Sequence, residues 1–432
     1  SGVDVVGNIN VFAEGAGSSS TLYAELNSND IDYIRVESLN GAQASVDISG
    51  NITVHGGILM SSDASSDAHL HTSGYVNFDH ASLTINQSGP NVNDHVDEFY
   101  LGSAVGSHTS GIIDGLYLRA ENGAQDSYNL DVTFSTPGHY SSSTKFYSFL
   151  DVTGNIELVS DGASSYLDLS GTLSEDDFHN ISVIASNDGY ASLSLYGDHI
   201  SMDGDLLVAA YHHGSVDVCF DHAISMYGGN LSVAAEGISI AIDSEDLEDL
   251  YGSTDLSAHN NFSLSLSSDS YLNNINVSQS YLGEADVRLS GDYTVLGDIN
   301  VITYNDDGSG WGGGYASLDL GDGHVQLMGG DISVSASEEE RAYLTGNIDG
   351  SSVGNIFVSA ESAADINVEL DGSFNAESLM VNAYGVIDWS SREAYPSTVS
   401  FLANGSALNI YNLTESSEVS QASIILNGNV EI

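Results

Sequence analysis

The sequence has almost no basic residues. Its 432 residues include only 6 lysines and arginines against 61 acidic residues, a formal net charge of −55 at pH 7. Binding to nucleic-acid phosphates and adhesion to anionic membranes both need clustered positive charge, so this composition excludes both. Arg35 and Glu37, two apart in a strand-like segment, are expected to form a surface ion pair. The bases are scattered as Arg35, Arg119, Lys145, Arg288, Arg341 and Arg392.

Cysteine, proline and long apolar runs are also scarce. The single cysteine, Cys219, cannot form an intramolecular disulfide, and only 3 prolines accompany 46 glycines. No apolar run approaches the ~20 residues that a membrane-spanning helix needs, so membrane insertion is not expected. Hydrophobic residues make up 41% of the chain, which is enough for a sizeable core.

A short pattern recurs along the chain: Gly or Asn, Asn or Asp, Ile or Leu, any residue, and Val or Leu. Its third positions Ile156, Ile181, Leu206 and Leu231 are each separated by 25 residues. Such a constant period indicates a stack of equivalent structural units. The pattern occupies residues 7–11, 50–54, 154–158, 179–183, 204–208, 229–233, 273–277, 297–301, 330–334 and 354–358.

Two further segments of alternating apolar and polar residues fill each period. Residues 166–171 (Tyr-Leu-Asp-Leu-Ser-Gly) typify the segment that follows the first pattern, and residues 198–202 (Asp-His-Ile-Ser-Met) typify the segment before its next copy. Alternation with a period of two predicts β-strands with one buried and one solvated face. We therefore expect three short strands per coil of about 24–25 residues.

The repeat predicts an all-β fold, a right-handed parallel β-helix or β-solenoid, in which each coil buries its apolar face against its neighbours. Equal positions in successive coils then form ladders. An array of β-sandwiches also fits regularly spaced strands, but sandwiches do not repeat one coil sequence at a constant interval. The expected inner ladders contain Ile9, Ile52, Ile156 and Ile181, and Val11, Val54 and Val183.

We expect one continuous solenoid over residues 1–432, decorated by insertions near 86–112, 243–260, 303–315 and 389–398. Neither end shows a polar capping segment, and unpaired strand edges invite pairing with another chain. The sequence therefore predicts a segment or repeating unit of a longer array or filament, with self-association end to end.

Coils of Gly-Asn-Ile-x-Val with Ala-Ser-Leu-Asp-Leu strands (residues 316–320) resemble the repeats of large bacterial surface and secreted proteins. These are the filamentous-haemagglutinin-like and autotransporter-passenger β-solenoids. The resemblance covers most of the chain and lies in composition and period. It implies a right-handed β-helix, export from a bacterium, and an adhesive or structural role.

Outward carboxylates recur in the second segment of the coil. In β-helical enzymes that act on acidic polysaccharides, catalytic acids and calcium ligands lie on such a face. The interpretation that we favour is a solvated acidic ladder that maintains solubility, because six scattered bases leave little to hold an anionic substrate. No catalytic nucleophile motif is present, so no enzyme is expected. These carboxylates belong to Asp47, Asp168, Asp217, Asp319 and Glu369.

Candidate metal ligands are few, and no cofactor is required. Asn305, Asp306 and Asp307 resemble half of a Ca²⁺ loop but lack its later bidentate acid. His199 and His222 occupy corresponding places in neighbouring coils, yet no zinc-type Cys or His spacing accompanies them.

The sequence thus predicts a structural or adhesive protein of the bacterial cell surface or extracellular space. It would form a fibre, sheath or adhesin stalk by coil stacking, with a carbohydrate or a host or cell surface as candidate partner. One alternative is a polysaccharide-acting lyase or hydrolase. Another is a calcium- or carbohydrate-binding module that uses tyrosines and Trp311 for stacking.

Overall fold

The chain is all-β. The computed structural model describes residues 4–63, 66–73, 76–88, 98–100, 108–121, 128–134, 147–161, 165–172, 176–187, 189–196, 200–220, 223–236, 259–266, 268, 270–280, 283–304, 314–337, 340–384, 386–388, 393–395, 397–410, 413–418 and 420–431. Over these residues there is no helix, and parallel strands stack as a β-solenoid. This confirms the predicted fold class and the repeat. No helix in this part of the chain is long and apolar enough to cross a membrane.

Two compact units are distinguished, Ser1–Asp203 with Val218–His222, and Gly204–Asp217 with Ala223–Ile432. One continuous solenoid over residues 1–432 stays a prediction. The first unit contains β1 (Val6–Glu14), β2 (Ser19–Leu39), β3 (Gln43–Ser62), β4 (Asp67–Thr72), β5 (Val76–Ser88), β6 (Glu98–Tyr100), β7 (His108–Glu121), β8 (Tyr128–Phe134), β9 (Tyr147–Asp161), β10 (Ser165–Thr172), β11 (Asp176–Phe178), β12 (Ile181–Ser186), β13 (Tyr190–Tyr196) and β14 (Ile200–Met202).

The second unit also consists of strands, and β16 (Ser215–Phe220) is divided between the two units. The remaining strands are β15 (Leu206–Tyr211), β17 (Ile224–Met226), β18 (Leu231–Glu236), β19 (His259–Ser265), β20 (Tyr271–Leu272), β21 (Ile275–Ser280), β22 (Glu284–Ser290), β23 (Tyr293–Val295), β24 (Ile299–Tyr304), β25 (Tyr315–Asp319), β26 (Val325–Leu327), β27 (Ile332–Ser337), β28 (Arg341–Asn347), β29 (Ser351–Glu361), β30 (Asp365–Asp371), β31 (Phe374–Tyr384), β32 (Val386–Asp388), β33 (Glu393–Tyr395), β34 (Thr398–Ile410), β35 (Leu413–Glu418) and β36 (Gln421–Glu431).

One coil of the second unit shows the three predicted segments in order. The strands β21, β22 and β23 follow one another along the chain, and β24 begins the next coil. Ile275 pairs with Ile299, so this coil has 24 residues. The predicted three short strands and coil length are confirmed here, and we call the strands first, second and third.

Within each unit, strands of the same kind pair in parallel from one coil to the next. In the second unit, first strands pair in the order β15, β18, β21, β24, β27, β29, β31 and β35. Second strands pair in the order β19, β22, β25, β28, β30, β34 and β36. In the first unit, the first strands lie in β1, β2, β3, β5, β7, β9 and β12.

The apolar positions of the motif form the core. Ile275, Ile299, Ile332 and Ile356 pair in succession, and each is fully buried. Burying one such side chain contributes about 1.5–3 kcal/mol relative to leaving it exposed. The following residue of each strand is polar or half-exposed and points outward, as the alternation predicts.

The prediction that Ile52 shares a ladder with Ile9 is wrong. Ile52 and Val54 lie in a third segment and pair with β5 there, whereas Ile58 is the member of the Ile9 ladder in this coil. In this copy Gly50, with φ of 103°, turns the chain between the second and third segments instead of before the first. Because both segments alternate with the same period and bury the same face, the motif alone does not distinguish them.

The second motif position forms a hydrogen-bonded ladder on the outside of the second unit. Asn274 Oδ1 accepts from the backbone N–H of Asp298 at 2.8 Å, and Asp298 Oδ1 accepts from Asp331 N–H at 2.9 Å. Asp331 Oδ1 accepts in turn from Asn355 N–H at 2.7 Å. Asn and Asp alternate freely here because each offers a side-chain oxygen to the next coil.

Candidate functional site

Most residues singled out as metal ligands lie outside the described residues. These are Asn305, Asp306, Asp307, His199 and His222; Trp311, the candidate for stacking, lies outside the described residues as well. The insertion predicted near 243–260 also lies almost entirely outside the described residues. The insertion near 389–398 coincides with an antiparallel hairpin, in which β32 pairs with β33.

Asp319 and Glu369, two of the second-strand carboxylates, each lie between side chains of a different kind, whereas Asp168 of β10 is in register with Asp131 of β8. Asp319 is flanked by Arg288 and Thr345 in the neighbouring coils, and Thr345 Oγ1 donates to Asp319 Oδ1 at 3.2 Å. Glu369 lies between Thr345 and Leu402. The register therefore does not stack Asp319 or Glu369 on a second carboxylate, as a two-acid catalytic site would need.

Asp217 is exposed on β16, and Asp168 belongs to β10. Asp47 differs from these carboxylates because it lies in a groove of about 420 Å³. The groove crosses three successive second strands of the first unit. Its lining residues are Tyr23, Ala24, Glu25, Asp47, Ile48, Ser49, His71 and Ser73.

The centre of the groove is formed by three residues at equal positions of three successive coils. Tyr23 pairs with Asp47, and Asp47 pairs with His71. His71 Nδ1 lies 3.3 Å from Asp47 Oδ1, and the ring of Tyr23 is 77% exposed. An exposed aromatic ring beside a carboxylate and an imidazole offers a flat apolar face together with hydrogen-bonding groups.

Sequence reasoning found Asp47 but missed Tyr23 and His71. A usable signal was present, since residues 23, 47 and 71 are spaced by 24, one coil length. The same interval joins two more histidine–carboxylate pairs. His55 Nδ1 lies 2.8 Å from Asp79 Oδ2, and His179 Nδ1 lies 2.7 Å from Asp203 Oδ1.

The predicted surface ion pair of Arg35 with Glu37 is confirmed, and Arg288 with Asp286 forms a second pair that was not predicted. Arg35 binds Glu37 at 2.7 Å, and Arg288 binds Asp286 at 3.1 Å. Both arginines are about half-exposed or more, so each pair contributes at most about 1 kcal/mol. These contacts leave no cluster of bases on the described surface that could hold a polyanion.

Burial strongly raises the pKa of one tyrosine. Tyr293 lies in the core at 3% exposure, and its hydroxyl donates to the Leu320 carbonyl at 3.3 Å. Removal from water, reinforced by the charge of Asp319, holds the pKa of this phenol well above its ordinary value. Tyr211 and Tyr315 have pKa values raised in the same direction, again chiefly through burial.

The raised pKa of Tyr293 predicts that the folded protein loses stability at alkaline pH. The phenol ionises near pH 10 when unfolded but stays neutral when folded, so ionisation stabilises the unfolded chain as pH rises above about 10. The free energy of unfolding should then fall by up to about 1.4 kcal/mol per pH unit from this residue alone. We expect Tyr293→Phe to flatten that slope between pH 9 and 11 in urea unfolding. Equal slopes in the two proteins would contradict this assignment.

Metal chemistry at the surface has no visible ligand set in the part of the chain that the structure describes. No group of three or more His, Cys, Asp or Glu residues there could hold an ion, and Cys219 is exposed. The candidate site that remains is the groove at Tyr23, Asp47 and His71. Comparisons of the sequence and structure with protein-family models, curated proteins and solved structures found no match.

Proposed function

We propose that this protein is a structural and adhesive component of the bacterial cell surface or extracellular space, acting as a fibre, sheath or adhesin stalk. The observation that supports this most is the in-register stacking of coils. First strands pair in register with those of the next coils, for example β21 with β24 over six residues and β24 with β27 over four. Such stacking extends by repetition, either within a longer array or from one copy to another.

Charge supports the same role. With a net charge of −55, the outer surface is strongly acidic, and like charges keep neighbouring fibres dispersed. A protein with a single exposed cysteine and no dependence on disulfides also folds without an oxidation step.

Cell-surface display is tested by labelling. An antibody against the purified protein should stain intact cells of the producing bacterium as strongly as permeabilised ones. Brief protease treatment of intact cells should remove the signal, with a cytosolic protein as the protected control. Staining that requires permeabilisation would overturn the proposal.

A second candidate function, carbohydrate binding, is favoured by the groove at Tyr23, Asp47 and His71. The exposed ring can stack on the apolar face of a sugar, while Asp47 and His71 offer partners to its hydroxyl groups. The acidic surroundings favour a neutral glycan over an anionic one.

The groove predicts a selective loss of glycan binding. On an array of neutral and acidic glycans we expect wild-type protein to bind neutral members, and Tyr23→Ala to weaken this at least about tenfold, the scale of a lost stacking contact and its hydrogen bonds. Tyr33→Ala is the matched control, since Tyr33 is 51% exposed on the same strand but outside the groove. Equal losses in both variants, or no binding by the wild type, would reject the groove as a glycan site.

A further inference from the structure

Two polar residues interrupt a small-residue ladder inside the second unit. The fifth position of the first strand is buried alanine in most coils, but it is Gln279 in β21 and Thr303 in β24. These two residues pair with each other and are 1% and 2% exposed. The alanines at this position are Ala210, Ala235, Ala336, Ala360 and Ala383.

Neither side chain has a partner for its hydrogen-bonding groups in the part of the chain that the structure describes. Both amide atoms of Gln279 and the hydroxyl of Thr303 are buried without a partner among the described residues. Buried polar groups are nearly always paired with protein, water or an ion. Two such side chains at equal positions of adjacent coils therefore indicate a bound water molecule or ion.

The amide of Gln279 reaches the corner between the first and second strands. A Cβ atom at Gly314 would lie 2.3 Å from Gln279 Nε2 and 2.6 Å from the Gly283 carbonyl oxygen. The amide thus occupies space that Gly314 leaves open by having no side chain. An amide presents either oxygen or nitrogen after rotation about its last torsion.

A buried carboxylate shares this corner one coil further on. Tyr315 N–H donates to the Gly283 carbonyl and Arg341 N–H donates to the Gly314 carbonyl, so positions 283, 314 and 340 are equivalent in the stack. Glu340 is 0% exposed, whereas Ala364, the equivalent residue of the following coil, is small. In a parallel in-register stack, equal positions project their side chains to the same side. Glu340 therefore points toward the corner that the Gln279 amide enters.

We propose that this corner binds a hard cation of the Ca²⁺ class through Gln279 Oε1, Thr303 Oγ1 and the Glu340 carboxylate. All three donors are oxygens, the ligand type that Ca²⁺ requires. The Glu340 carboxylate supplies the negative charge that a Ca²⁺ ligand set usually includes. This internal site is distinct from residues 305–307 and does not depend on the function proposed above.

The test is thermal unfolding of the metal-stripped full chain, with and without CaCl₂, at constant ionic strength. We expect Ca²⁺ to raise the Tm of the wild type by roughly 3–6 °C. Gln279→Leu and Thr303→Val, which keep most of the volume and remove the oxygen, should lose that increment. Glu361→Gln removes an exposed carboxylate on β29, two coils beyond β24, and should keep the increment.

Three results would overturn the site. An equal Ca²⁺ increment in wild type and both variants would mean screening of the acidic surface. Variants that are less stable than the wild type, with no Ca²⁺ response in any protein, would mean buried water. Variants that are more stable than the wild type with and without Ca²⁺ would mean that the polar groups of Gln279 and Thr303 are buried with nothing bound to them. If Gln279→Leu fails to fold, Thr303→Val and the count of Ca²⁺ retained per chain on equilibrium dialysis, against Glu361→Gln, decide the question.

Discussion

Replacing Gly330 by alanine is expected to destabilise the second unit by about 3 kcal/mol or more. A Cβ atom at this position would lie 1.7 Å from the carbonyl oxygen of Gly297 and 2.3 Å from its carbonyl carbon. Both atoms belong to the backbone of the preceding coil, which cannot move aside without breaking the parallel pairing. Thermal unfolding followed by circular dichroism should show a Tm several degrees below that of the wild type.

The adjacent Gly329 is the matched control. It has a φ of 98° and no atom within 4 Å of its ideal Cβ. Gly329→Ala therefore meets only the backbone cost of a left-handed residue, about 1–2 kcal/mol. If the two variants unfold at the same temperature, close stacking of the coils is not what requires glycine at position 330.

The same contact explains the glycine at the first motif position of another copy in this unit. A Cβ at Gly229 would lie 1.6 Å from the Gly204 carbonyl oxygen, the counterpart of the contact between Gly330 and Gly297. Glycine is required at positions 229 and 330 because successive coils approach backbone to backbone there. These two copies of the motif thus mark close backbone contacts between coils of this unit.

Replacing Ile299 by aspartate is expected to prevent folding of the second unit. Ile299 is fully buried between Ile275 and Ile332, where a carboxylate finds neither water nor a base. The cost of an unpaired buried charge exceeds about 4 kcal/mol, and each coil depends on its neighbours for burial. We expect aggregated protein, or protein without the β-sheet circular dichroism signal.

Two controls separate charge from volume. Asn300→Asp adds the same charge one residue further on, where the side chain points outward, and loses one hydrogen bond to Asn276 Oδ1 at 3.0 Å. It should fold and lose about 1 kcal/mol. Ile299→Val removes one methylene and should lose about 0.5–1.5 kcal/mol. A soluble, cooperatively unfolding Ile299→Asp protein would contradict the inner position of this ladder.

Much of the coil could be predicted from local pattern, and the exceptions have a common cause. The alternation and the 24-residue step from Ile275 to Ile299 identify strands and coil length without knowledge of contacts. The prediction for the copy at Ile52 was wrong because the same motif can follow the second segment or precede the first. Only the pairing of Ile58 with its neighbours shows which corner was used.

The amino-acid sequence by itself determined the strand class, the coil period and the buried face, because these follow from side-chain alternation and turn residues within one coil. The tertiary structure alone decided which side chains of different coils meet. The corner of Gln279 and Glu340 is of this second kind, and for Tyr23, Asp47 and His71 the 24-residue spacing is visible in the sequence but the groove that they line is not. The physical reason is that axial neighbours belong to separate coils, so their contact depends on the register of stacking and on every insertion between them.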